Sequence, residues 1–179
     1  MKHQFGLMTL SSDGRVTWAC HFTANKDRVH DALKSIECDT GDHTSVDLAA
    51  ILDGVAAKLQ TQQNLHLDEL TRCIFTFGRS KYVPLISSSP QLVSDPLFYL
   101  DVVYIHDKSN SETLQSTYEV LHDLISTADG RNNFLFETHP SNMRLHGILP
   151  LLLAHAMQRE VQENITEKLS ATPLSLCES

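Results

Sequence analysis

The run Asp107-Lys-Ser-Asn-Ser111 places Asp107, Ser109 and Ser111 at the spacing Asp-x-Ser-x-Ser. Hard oxygen donors offered by one loop suit a small divalent cation such as Mg²⁺. A metal-dependent ligand-binding site is therefore one reading of these three residues. The other is structural: Ser, Asp and Asn are the usual residues of a strand-to-helix turn and its N-cap.

The ten histidines include no H-x-H and no H-E-x-x-H, so neither common zinc-hydrolase pattern is present. His146 and His155 are nine apart, on opposite faces of any continuous helix. His106 ends a strand beside Asp107 and reads either as a switchable side chain or, more simply, as a capped or solvated histidine. The cysteines are Cys20, Cys38, Cys73 and Cys177, with no C-x-x-C pair. Cys20 and Cys73 fall in apolar strand patterns, where a thiol acts as a small hydrophobe. A phosphate-binding G-x-G-x-x-G or P-loop is absent from the sequence. Asp101 interrupts an apolar run and reads as a buried carboxylate with a backbone or loop partner. No nucleophile, acid/base pair or cofactor site emerges, and the expectation is a protein that is not an enzyme.

The segment that must position these residues is Leu97 to His106, LFYLDVVYIH. Aromatic and β-branched throughout, it predicts a strand buried on both faces, with helices above and below. Before it, Phe5–Leu10 and Arg15–Phe22 flank Ser-Ser-Asp-Gly, a hairpin signal. Val16, Trp18, Cys20 and Phe22 alternate with polar positions, as on a sheet edge with one wet face. Asn25 is placed to cap a helix with Val29, Ala32, Leu33 and Ile36 on one stripe. Thr44 and Asp47 form a capping-box pattern ahead of a helix carrying Leu48, Ile51, Leu52, Val55 and Leu59. Arg72–Phe77 reads as a strand, Ser111–Ile125 as a helix and Asn133–Glu137 as a short strand. A last helical segment carries Leu145, Ile148, Leu149, Leu152 and Leu153; Pro150 should kink it or start a second helix. This order predicts an α/β fold with a mostly parallel sheet, helices on both faces and an antiparallel edge strand. A doubly wound sheet normally opens on a central strand and crossover helix, whereas this chain opens on a hairpin. The expected organisation is one domain over residues 1–159 and a tail over 160–179.

Composition bounds the function. The 179 residues are 41% hydrophobic and 20% charged, with a formal net charge of -8, which argues against non-specific nucleic-acid binding. No apolar run approaches the roughly 20 residues of a membrane helix. MKHQFGLMTL reads as a strand and not as a secretory signal, and the cysteine usage predicts a reducing compartment. Leu149 to Leu153, extended by Ala156 and Met157, is more apolar than one buried helix face requires. It fits either core packing around Pro150 or a docking surface.

FYLDVVYIHD and LLLAHAMQR (Leu151 to Arg159), with the hairpin FGLMTLSSDGRVTWACHF, resemble a known family. It is the von Willebrand factor A-like (VWA-like) scaffold subunit, of MERIT type, of the BRISC and BRCA-type-A deubiquitinase complexes. The likeness runs from about Phe5 to Arg159. The resemblance implies a non-catalytic subunit of an assembly acting on non-degradative ubiquitin chains. Its implied partners are a ubiquitin-conjugating-enzyme-like adaptor and, through it, metalloprotease deubiquitinase subunits. It also implies a place in DNA-damage signalling and cytoplasmic deubiquitination, in nucleus and cytoplasm. His155, Gln158 and Arg159 match the family segment and are the docking residues it suggests. The family's first strand and first helix, ahead of the hairpin, have no counterpart here. The expectation is an N-terminally shortened chain, less stable than a full-length relative. Aligned to the family, the first metal-binding loop is also absent. Thr44 stands where a metal-binding Thr would be, and Gly78-Arg79-Ser80 brings a cation where a carboxylate is needed.

Overall fold

The computed structural model describes residues 3–37, 45–61, 70–78, 81–107, 111–126, 133–140, 144–154 and 162. They group into two compact units, Met1–Glu69 with Tyr82–Leu92, and Leu70–Lys81 with Val93–Ser179.

The first unit opens on the hairpin. β1 (Phe5–Leu10) pairs antiparallel with β2 (Val16–Thr23). The turn closes through the Ser11 N–H donating to Arg15 O and the Gly14 N–H donating to Ser11 O. Gly14 takes φ 81°, a conformation a side chain disfavours. Along β2 burial alternates as the period-two pattern requires, with Cys20 the deepest residue.

Helix α1 (Lys26–Lys34) starts at Asn25, whose side chain accepts from the Asp27 and Arg28 N–H groups. No residue of α1 is buried, and Leu33 and Ile36 are exposed. The stripe drawn from Val29 to Ile36 is thus amphipathic without being core. α2 (Leu48–Gln60) buries Leu48, Ala49, Ile51, Leu52 and Val55. Its N-cap is Asp47, because the Asp47 carboxylate accepts from the Ala49 N–H. The capping box starting at Thr44 is corrected accordingly; Thr44 itself lies outside the described residues.

The second unit is a parallel sheet in the order β3-β4-β5, with β3 at Thr71–Phe77, β4 at Phe98–Ile105 and β5 at Leu135–Thr138. A four-residue helix α3 (Gln91–Ser94) precedes β4. In β4 every residue but Tyr99 and Ile105 is buried, as a strand covered on both faces must be. α4 (Ser111–Ser126) and α5 (Arg144–Leu153) supply the covers. Ile148 and Leu152 of α5 meet Val103, Phe134 and Phe136. Side chains alternate along a strand, so Tyr104 points to the opposite face. There its hydroxyl faces that of Thr117 on α4, both fully buried, without meeting strict hydrogen-bond geometry. The helices therefore lie on both faces of this sheet.

α5 runs through Pro150 as one helix, so the proline starts no second one. Pro150 lies on the exposed side, where water can satisfy the carbonyl that loses its helical donor.

Candidate interaction surface

Four polar clusters could do chemistry, and each is engaged in holding the fold. Asp101 is fully buried. One carboxylate oxygen accepts from the Phe134 N–H at 3.0 Å, and the other lies 4.0 Å from Arg72 Nε. Arg72 Nη1 donates to the Leu152 carbonyl at 2.5 Å. A carboxylate in the middle of an apolar strand is thus matched to an N–H of β5's approach and to a guanidinium that also caps the end of α5. Nearby, Asn133 accepts from the Leu100 N–H and donates to Ile125 O, tying the end of α4 to β4.

His106 ends the ladder of β4 and is buried. Its Nε2 lies 2.7 Å from Glu137 Oε1 and its Nδ1 3.2 Å from the Asp107 carbonyl, with the ring 4.8 Å from that of Tyr104. Both partners are acceptors, so the protonated ring can donate to both and the neutral ring to one. The capped reading of this histidine holds, not the solvated one.

In the first unit, Asp47 joins α2 to the segment after Tyr82. Beyond capping α2 it accepts from the Ser87 N–H and hydroxyl. Burial raises its pKa, but the Ser87 hydroxyl and the N–H groups of Ser87, Ala49 and Ala50 outweigh that and hold it below the ordinary carboxylate value. The Leu48 N–H donates to Leu85 O and the Leu85 N–H to Val46 O. Sequence reading missed this clasp, because its halves are 40 residues apart.

The Cys73 thiol is pushed up to about 12 by burial, with the Asp101 charge adding to it. A thiol so raised stays protonated at neutral pH, where the thiolate is the nucleophilic form. Cys20 is buried, its thiol donating to the His21 carbonyl. Cys38 and Cys177 lie outside the described residues.

Asp107 is exposed. Ser109 lies outside the described residues, as does the side chain of Ser111, so the Asp-x-Ser-x-Ser geometry is not on view. Among the described residues no three His, Cys, Asp or Glu side chains converge as a metal site would need.

What remains is surface. Along α5, Ile148 and Leu152 are core, whereas Leu149 and Leu153 are 46% and 65% exposed. They are four apart and share a face. On β3, Ile74 is 39% exposed and Leu70, just before the strand, 42%. The run Leu149–Leu153 therefore divides between the two readings the sequence left open: one stripe is core and the other is free apolar surface. His155, Gln158 and Arg159 lie outside the described residues.

Comparison with solved structures gives the fold its name. The VWA domain of SpRpn10 aligns with a TM-score of 0.54, covering 82% of this chain and 70% of that one at 16% identity. The chain has a VWA-like fold. No family model matches it. Among curated proteins, BRISC and BRCA1-A complex member 1 of Xenopus tropicalis is 24% identical over 184 residues, covering 94% of this chain and 54% of its own length. The Homo sapiens protein of the same name is 22% identical over 185 residues, covering 93% and 53%. The VWA-like chain thus resembles these complex members across nearly all of its sequence, and it spans about half the length of the curated relatives it matches.

Proposed function

We propose that this chain is a non-catalytic scaffold subunit of a deubiquitinase complex of the BRISC or BRCA-type-A kind, acting on non-degradative ubiquitin chains. The observation that carries the reading is likeness over 94% of the chain to proteins named for membership of those complexes. The VWA-like fold and the structural engagement of Asp101, His106 and Asp47 support it.

In this reading the chain binds a ubiquitin-conjugating-enzyme-like adaptor and steadies the metalloprotease subunits through it. It serves DNA-damage signalling in the nucleus and deubiquitination in the cytoplasm. The exposed Leu149 and Leu153 and the residues that follow, His155, Gln158 and Arg159, form the docking edge. An apolar pair followed in sequence by polar and basic residues has the composition of an interface core and rim.

Co-expression with the adaptor and pull-down from the chain tests this. Wild type should retain the adaptor, and Leu149→Asp with Leu153→Asp should lose it while keeping its circular dichroism spectrum. Arg159→Glu should weaken retention at low salt, and its deficit relative to wild type should shrink as salt is raised and screens the charge. A wild-type chain that fails to retain the adaptor defeats the proposal. So does isopeptide hydrolysis by the purified chain alone.

A further inference from the structure

Among the described residues, β5 is an edge strand of the parallel sheet in the second unit, and its outer edge is occupied. In a parallel strand the N–H and C=O of one residue point to the same side, and the next residue's point to the other. On β5 the residues facing β4 are the even ones: Phe134 O accepts from the Val102 N–H, and Thr138 O from the His106 N–H. Leu135 and Glu137 therefore turn their backbone groups outward, onto the open edge. The Leu135 N–H nevertheless donates to Gln162 Oε1 at 2.8 Å, and Gln162 Nε2 donates to the Leu135 carbonyl at 2.6 Å. One primary amide, with a donor and an acceptor side by side, meets one residue's edge groups as the backbone of a further strand would.

The segment so guarded is hazardous when bare. Asn133-Phe-Leu-Phe-Glu-Thr138 carries three large apolar residues, no Pro, no Gly and a single charge. These are features that favour edge-to-edge pairing. The strand is also self-complementary. Paired antiparallel with a copy about a two-fold axis at Phe136, Leu135 lies opposite Glu137 of the copy at both ends. No like charges meet in that register. Buried side chains on both faces of β5 leave the edge as its route to another chain.

We propose that Gln162 is an edge guard: its amide stands in for a neighbouring strand and prevents β5 from pairing with the β5 of a second copy. This does not rest on membership of any complex.

The test uses the full chain and two variants, Gln162→Ala and Gln162→Leu. The second keeps a side chain of comparable bulk and removes the amide. In wild type, amide hydrogen exchange should show Leu135 protected, although it faces outward, and light scattering should give a monomer. In both variants Leu135 exchange should quicken by about ten-fold or more, the Phe134 N–H on Asp101 should keep its protection, and the mass should rise toward a dimer with concentration. An unprotected Leu135 in wild type overturns the proposal. So do variants that stay monomeric, whether or not Leu135 is released, and so does a wild type that is itself dimeric through β5.

Discussion

The antiparallel hairpin and the three-stranded parallel sheet solve the same problem by different physics. The hairpin is held by neighbours in sequence. Its turn closes on itself, Asp13 bonds Ser11 and Arg15, and Thr9 and Thr17 join hydroxyls across the strands. Cys20 is its one buried side chain among β1 and β2. The parallel sheet is held by residues far apart in the chain. Asp101 meets Phe134, Arg72 reaches Leu152, and Gln162 closes on Leu135. Local pairing tolerates exposure because each bond forms beside its partner. Parallel pairing needs crossovers and gains stability only once both faces are covered. A substitution should therefore matter by where it sits between these two regimes, more than by the residue type removed.

The largest expected effect tests the long-range regime. Asp101→Ala leaves a buried N–H and a shielded guanidinium without their carboxylate, and should lower the stability of the full chain by about 4 kcal/mol in urea unfolding. A loss under about 1 kcal/mol would mean that this network is ornamental.

Next comes the pair on α5. Leu152→Ala opens a cavity in the core and should cost about 3 kcal/mol, whereas Leu153→Ala should change stability by less than about 0.5 kcal/mol. Equal losses at the two positions would erase the distinction between the core stripe and the free stripe.

The Asp47 clasp lies between the regimes, being both a helix cap and a bond across 40 residues. Asp47→Ala should cost about 1 kcal/mol. Its folded pKa lies below the ordinary value. Its contribution is therefore intact above the unfolded carboxylate pKa of about 3.9, and is lost as the pH falls through the lower folded value. Comparing acid unfolding of wild type and Asp47→Asn checks the sign: the two curves should converge at the lowest pH.

The smallest effects belong to the hairpin turn and to the thiol. Asp13→Ala should leave the melting temperature unmoved, because the Asp13–Arg15 pair is exposed and such pairs contribute little. Cys73 should resist alkylation at pH 8 in the folded chain and react once the chain is unfolded. Rapid labelling under native conditions would show the second unit opening far more easily than its packing implies.

Much of this architecture was legible in the residues. Alternation around Trp18 and Cys20 marked β2, the unbroken apolar run marked β4, and Asn25 announced α1. The start of α2 was misplaced because Thr44 and Asp47 both suit a cap; the bond from Ala49 and the tie to Ser87 settle on Asp47. Apolar spacing put Val29, Ala32, Leu33 and Ile36 on one stripe at α1, but spacing gives a face and not what covers it. The split of the 149–153 run into buried and exposed leucines was half legible. Composition showed an excess of leucine between 149 and 153, and only packing shows that 152 is core while 149 and 153 are free. Gln162 carried no signal in a polar stretch, since nothing local distinguishes one amide from another.

By itself, the sequence determined which segments become strands and helices, and that the chain is an α/β protein. Those follow from periodicity and caps, which act over a few residues. Tertiary structure alone decided which polar groups were claimed by the fold and which apolar ones were left exposed. Asp101, His106 and Gln162 find partners more than 25 residues away. The physical reason is that a buried polar group is stable only beside its complement, and that complement is chosen by three-dimensional closure, which no local pattern encodes.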